Sequence, residues 1–309
     1  MRIYIAGING MVGSAIAEEA KKQGHEVIGK SSKELDLTNR DAVFAELKKI
    51  KPDALIIAAA KVGGIGANST FPVDFLSVNL QIQTNLLDAA HAADIERVLF
   101  LGSSCIYPKF APQPIPESAL LTGELEPTNE PYALAKIAGV KLVEAYRKQY
   151  GHKWISAMPT NLYGPRDNFE LETAHVLPAL IHRFHNAKVA NLPEVAIWGD
   201  GYPMREFLYV EDLAKACLKL LESYDDSIAI NIGSNQELSI TELAKMISDV
   251  IGYTGRVVLD NSKPNGTPRK LLNSEKVNLL GWKAQIELRN GIEKTYDWFI
   301  DNEAKGNNQ

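Results

Sequence analysis

Tyr132 and Lys136 stand four residues apart in EPYALAKIAG, so a helix there places a phenol and an ammonium on one face. A phenol with a pKa of about 10 is a poor acid–base group at neutral pH. An ammonium one turn away stabilises the phenolate, and a serine hydroxyl can position a substrate oxygen beside it. Ser103 and Ser104 suit that task because they follow the apolar run Val98–Leu101 (VLFL). The C-terminal ends of strands are where open α/β sheets hold ligands. Cys105 comes next, a thiol of reference pKa about 8.5 that could move a proton beside a ketone. The same residue also fits a small buried apolar group. His175, in ETAHVLP, is a second group that titrates near neutrality, or else a surface or capping imidazole. His182 and His185 lie one turn apart, with no cysteine or carboxylate to complete a metal site. They read as surface residues, and no metal is expected.

A second cluster opens the chain. Gly7, Gly10 and Gly13 follow the β-rich run Arg2–Ala6 (RIYIA) and enter a helical stretch, Met11–Gln23. Glycines so placed allow a tight turn, close approach of a pyrophosphate and close helix–strand packing, while the helix N-terminus favours negative charge. A nucleotide site is the expectation. The second strand, Glu26–Gly29, ends in Lys30-Ser31-Ser32-Lys33 with no acid before Glu34. NAD sites usually carry an acid there for the ribose 2′-hydroxyl. Lys30 and the two hydroxyls suit a 2′-phosphate instead, so NADP is expected.

Several elements must position these residues. Ala54–Ala60, Arg97–Gly102 and Trp154–Met158 read as further strands, the first apolar throughout as a doubly covered strand should be. Asp41–Ile50, Phe71–Ala93 and Tyr132–Tyr150 read as helices between them. Beyond Tyr163 the pattern loosens into helices over Val176–His185, Glu211–Glu222, Ile240–Ile251 and Arg289–Ile300. Strands there are Val195–Trp198, Ile228–Ile232 and Arg256–Leu259, and the stretch from Asp301 reads as frayed. Alternation of this kind predicts an α/β fold, a Rossmann-type doubly wound parallel sheet with a smaller, interleaved C-terminal α/β substrate lobe. Residues 1–163 form the dinucleotide domain, with 206–233 returning to it; residues 164–205 and 234–309 form the substrate lobe.

Composition narrows the function. The 309 residues carry 33 Lys+Arg against 38 Asp+Glu, a formal charge of −5, without the basic footprint of a nucleic-acid binder. Hydrophobic residues at 45% and charged residues at 23% are globular values, which argues against disorder. Cys105 and Cys217 cannot build a disulfide framework, which fits a reducing cytoplasm. No apolar run approaches the roughly 18 residues of a membrane span, and MRIYIAG enters structure without a leader.

The glycine loop, the serine and Tyr-x-x-x-Lys, in this order, resemble the extended short-chain dehydrogenase/reductase family along nearly the whole chain. More specific stretches are AAAKVGGI (58–65), LGSSCIYPK (101–109), EPTNEPYALAKIAG (126–139), PTNLYGP (159–165) and PMREFL (203–208). They resemble the branch of that family that epimerises a GDP-bound 4-keto-6-deoxy sugar at C3 and C5 and reduces it at C4.

That resemblance implies catalytic roles for Ser103, Cys105, Tyr132, Lys136 and His175, with Cys105 and His175 as the proton-transfer pair in either order. It implies a dinucleotide site drawn from Gly7, Gly10, Met11, Val12 and Gly13, from Lys30, Asp36 and Ala59, and from Leu101, Gly102, Ser103 and Ser104. Lys136, Pro159, Asn161, Leu162 and His175 complete that site. Arg183, Trp198, Arg205, Asn265 and Lys270 would hold the GDP group, while Lys263 reads as surface charge. A homodimer through helices around 71–93 and 132–150 is implied as well. Ile8-Asn9 stand where a basic residue is usual at the second position in the branch, and Ser32 and Lys33 where an arginine is usual nearby, which leaves NAD open beside NADP. A 4-epimerase, 4,6-dehydratase or other reductase would keep Ser103, Tyr132 and Lys136 but draw nothing from Cys105 and His175. A nucleotide-sensing binder that had lost catalysis would be expected to lack Tyr132 or Lys136.

Overall fold

The computed structural model describes residues 1–263 and 265–306, with backbone alone over 303–306. Six parallel strands form the main sheet: β1 (Arg2–Ala6), β2 (Glu26–Ile28), β3 (Ala54–Ile57), β4 (Arg97–Leu101), β5 (Ile155–Pro159) and β9 (Ile230–Ile232). Their spatial order is β2-β1-β3-β4-β5-β9. Side chains alternate between two covered faces, as the pleat requires. Tyr4, Leu55, Ile57, Val98 and Phe100 pack with α2 (Arg40–Ile50), α4 (Asn79–Ala92) and α5 (Glu130–Tyr150). Ile3, Ile5, Ala54, Ile56 and Leu99 pack on the other side with α1 (Met11–Lys22) and α7 (Val210–Ser223). The result is the α/β, Rossmann-type doubly wound arrangement.

A second sheet is centred on β8 (Met204–Tyr209), which pairs with β6 (Asn161–Tyr163), β10 (Glu237–Ser239) and β12 (Arg269–Lys270). Beside it β7 (Glu194–Trp198) and β11 (Arg256–Asp260) form a parallel ladder. A third apolar cluster joins α6 (Val176–Val189), α8 (Ile240–Ile251) and α10 (Leu288–Gly306) to these strands. The helix α3 (Ile65–Thr70) lies in the connection after β3, and α9 (Glu275–Leu279) follows β12.

Three expectations are corrected. β3 ends at Ile57, not Ala60, because Ala58 and Ala59 lie against the Gly7 backbone. The expected helix 71–93 is a π-helical stretch, Asp74–Val78, running into α4. There the Asn79 amide donates to the Phe75 carbonyl at 2.7 Å and to Lys61 O at 3.0 Å, a side chain in competition with the helix ladder. The last helix continues to Gly306, through residues expected to fray; 307–309 lie outside the described residues. The short strands β6, β10 and β12 went unpredicted.

Candidate active site

Gly7 takes φ +87°, and a Cβ on it would lie 2.8 Å from Ala59 N. A Cβ on Gly13 would lie 2.1 Å from Gly7 O, so strand β1 and helix α1 touch where any side chain would part them. Gly10 caps α1 with backbone only, leaving the first-turn N–H groups of Met11, Val12 and Gly13 without a side-chain cap. A bare cradle at a helix N-terminus fits a dinucleotide pyrophosphate. At the end of β2 the Lys30 ammonium lies 2.8 Å from the buried Glu46 carboxylate and keeps about a third of its side chain open, at 36%. Ser31 is tied to Glu34, and Asp36 accepts from Thr38 N and Oγ1 at 2.9 and 2.7 Å. Ser32 and Lys33 are exposed.

Ser103 leaves β4 in an extended conformation and caps the turn Ser104–Ile106, its Oγ accepting from Cys105 N at 3.2 Å. The same hydroxyl hydrogen-bonds the Tyr132 phenol. One turn along α5, the buried Lys136 ammonium donates to Leu101 O at 2.7 Å, and it sits 5.9 Å from the Tyr132 ring. Burial lowers the Lys136 pKa to about 8. Burial, reinforced by the Cys105 charge, pushes the Tyr132 phenol well above its ordinary value. Gly102 continues the strand by donating to Ala157 O at 2.9 Å. Pro159, Asn161 and Leu162 line up at the ends of β5 and β6, where Asn161 donates to Glu206 O at 2.7 Å.

Cys105 is half-buried, and Lys270 Nζ donates to its Sγ at 3.3 Å. Burial raises the thiol, yet Lys270, the Ser103 hydroxyl and Arg205 outweigh it and the net shift is downward. His175 stands at the N-cap of α6. Its segment is anchored by Gly64 N donating to Thr173 O at 2.8 Å. Surrounding protein, with Lys270 second, lowers its pKa to about 4.

Arg205 lies near both Cys105 and Glu126. Trp198, 41% exposed, carries Arg183 at 5.3 Å and the exposed Lys263 at 5.5 Å from its ring. Asn265 accepts from Asp200 N at 3.0 Å and donates to Asp200 Oδ2 at 2.8 Å. The chain therefore brings Ser103, Cys105, Tyr132, Lys136, His175, Arg205 and Lys270 into one neighbourhood, while Lys30 and Asp36 sit at the far edge by β2. The sequence reading missed Glu126, a buried carboxylate 3.0 Å from Lys109 and 3.5 Å from Thr267 Oγ1. Its signal was available, since Glu126 opens one of the specific stretches and Lys109 closes another. His182 Nδ1 meets Phe169 O at 2.7 Å, and His185 pairs with Tyr296 at 3.0 Å. Among the described residues no group of three or more His, Cys, Asp or Glu could hold a metal ion, and no helix is long and apolar enough to cross a membrane.

Residues 3–233 match the NAD dependent epimerase/dehydratase family. The chain is 55% identical over 302 residues to GDP-L-fucose synthase 1 of Arabidopsis thaliana, covering 97% of this chain and 94% of that one. It is 50% identical over 314 residues to GDP-L-fucose synthase of Escherichia coli K12, covering 98% of each. The crystal structure of a GDP-L-fucose synthetase from Naegleria fowleri bound to NADP superposes with a TM-score of 0.90 at 29% identity, covering 98% of this chain and 95% of that one.

Proposed function

The chain belongs to the NAD dependent epimerase/dehydratase family, and from that premise we propose that it converts GDP-4-keto-6-deoxy-D-mannose to GDP-L-fucose, by inversion at C3 and C5 and NADPH-dependent reduction at C4. The observation that carries this reading is Cys105, held with a lowered pKa between Ser103 and Lys270, the lysine that also acts on His175. A simple 4-epimerase or dehydratase has no use for that pair.

The C4 ketone acidifies the C–H bonds at C3 and C5. One of Cys105 and His175 takes the proton, the electron pair moves into an enolate, and the other returns a proton to the opposite face. Ser103 and Tyr132 hydrogen-bond O4 and hold the enolate charge. NADPH supplies hydride to C4. Tyr132 then gives its phenolic proton to O4, and the Lys136 ammonium offsets the phenolate left behind. The glycine loop and α1 N-terminus hold the pyrophosphate, Lys136 the nicotinamide ribose, and Lys30, with Ser31, Ser32 and Lys33, the 2′-phosphate. Asp36, Ala59, Leu101, Gly102, Ser104, Pro159, Asn161 and Leu162 line the rest of the dinucleotide site. Arg183 and Arg205 pair with the GDP diphosphate, Trp198 stacks on its flat surfaces, and Asn265 fixes the neighbouring turn.

We read residues 1–163, with 206–233, as the dinucleotide lobe and the remainder as the GDP lobe. A cytoplasmic homodimer through α4 and α5 completes the proposal. Leu134, Ala138 and Ala145 recur at helical spacing on the open side of α5, a face suited to a second copy. Light scattering at twice 34.0 kDa supports the dimer, and a monomer mass refutes it.

The test of the reaction is NADPH oxidation with GDP-4-keto-6-deoxy-D-mannose in deuterated water, alongside Cys105→Ser. Expected are NADPH consumption, deuterium at C3 and C5, and loss of that exchange in the variant. NADPH binding without oxidation would return the 4-epimerase and dehydratase readings.

A further inference from the structure

Sequence comparison alone would put Lys270 on the GDP diphosphate. Its surroundings place it elsewhere. The backbone around it is clamped: β12 runs beside β8 with Lys270 opposite Arg205. On one side Arg269 is bound to Glu237, Nε to Oε2 at 2.9 Å. On the other, Leu271 N donates to Gln113 Oε1 at 3.0 Å, and Leu272 N to Glu206 Oε2 at 3.1 Å. Glu206 is fully buried at 0% exposure, so the carboxylate that fixes Leu272 is itself immovable. From this rigid base the ammonium is delivered to one side-chain partner, the Cys105 sulfur at 3.3 Å. Among the described residues no carboxylate forms an ion pair with Lys270, so its charge is not spent on a structural bridge.

We propose that Lys270 is the positioning residue that holds Cys105 ready as a thiolate, rather than a ligand of the diphosphate. The inference rests on the reaction proposed above, in which the sulfur carries charge whenever it accepts or returns the C–H proton. When the C–H proton passes to the Sγ thiolate, the S–H bond forms, the C–H electron pair stays in the enolate and Lys270 keeps its own protons. No redox change is involved. The groups facing Cys105 come from several elements: Ser103 on its own turn, Tyr132 from α5, Arg205 from β8 and Lys270 from β12. Glu126 lines the same small cavity as Cys105 and Lys270, and His175 answers to Lys270 from α6. Lys270 and Arg205 favour the thiolate, Glu126 and Tyr132 as phenolate oppose it, and Lys270 alone makes direct contact as a cation.

The experiment is iodoacetamide alkylation of Cys105 against pH, read by mass spectrometry on the whole protein with no substrate present. Cys217 is fully buried, its thiol is pushed up by burial, and it serves as the unreactive reference. In Lys270→Met the alkylation midpoint should rise by at least about one pH unit, making labelling at pH 7 about tenfold slower, and Lys270→Arg should restore most of it. Circular dichroism on both variants separates this from misfolding. In the full reaction, Lys270→Met should slow deuterium exchange at C3 and C5 while KM for the GDP-sugar changes little. An unmoved alkylation profile with a raised KM would overturn the proposal and return Lys270 to the diphosphate. If alkylation shifts as expected but the GDP-sugar is not turned over, the reaction assignment falls and the Lys270–Cys105 couple stands.

Discussion

Tyr132 and Lys136 have opposite problems in the same pocket: burial makes the phenol harder to ionise and the ammonium easier to discharge. The pair works only while Lys136 keeps its proton, because a neutral amine cannot offset a phenolate. With its pKa lowered to about 8, that proton is present below pH 8 and lost above it. We therefore expect kcat/KM for NADPH oxidation to fall on a basic limb centred near pH 8, and Lys136→Met to lower the rate and abolish the limb. Tyr132→Phe should cost about 10²–10⁴-fold in NADPH oxidation and slow deuterium exchange less, because Ser103 still donates to O4 of the enolate while no other group replaces the proton delivered in the reduction. A Phe variant that lost exchange and reduction equally would show that Ser103 alone cannot hold the enolate. At this scale the spacing of Tyr132 and Lys136 was legible because both lie on one helical turn. Lys270 on Cys105 was not, since 165 residues separate them and only the pairing of β12 with β8 closes the gap.

Helices and strands of the main sheet were readable for a physical reason: strands covered on both faces must be apolar throughout, and Ala54–Ile57 and Val98–Leu101 are. The second sheet was harder. β6, β10 and β12 have three residues or fewer, too short for alternation to register, and their partners are distant in sequence. The π-helical stretch before α4 depends on one amide, Asn79, reaching back to Lys61 and Phe75, which no periodicity announces. Where strand meets helix at the glycine loop, packing becomes a prediction. Gly13→Ala would put a methyl 2.1 Å from the Gly7 carbonyl, and backbone cannot yield as a side chain can. We expect a loss of about 1–3 kcal/mol in denaturant unfolding and a weaker NADPH Kd by tenfold or more. A variant with unchanged Kd would mean that the loop does not cradle the pyrophosphate.

Across the whole molecule, the labour is divided: the glycine loop belongs to the six-stranded sheet, Arg205 to the sheet around β8, Trp198 to the β7–β11 ladder with Arg183 of α6 over its ring, and the β4 turn meets Lys270 of β12. A ligand that binds the folded protein alone stabilises it by mass action, by about 2.7 kcal/mol at a concentration near 100 Kd. For a chain of 309 residues that is about 4 °C in Tm. NADPH and GDP, each given alone at such concentrations, should each raise Tm by that order. The variants should then separate the two sites: Gly13→Ala loses the NADPH shift and keeps that of GDP, while Arg183→Ala, whose guanidinium rests over Trp198, does the reverse. Acid should erode stability independently of either ligand. His175 binds its proton at about pH 4 when folded but near 6.5 when unfolded, so the unfolded chain holds more protons between those values and stability falls as pH drops through that window. His175→Gln should flatten this part of the stability curve and, since the imidazole is also expected in the dinucleotide site, lower the NADPH shift while sparing that of GDP. An unchanged NADPH shift would take the imidazole out of the dinucleotide site and leave it to the proton path shared with Cys105.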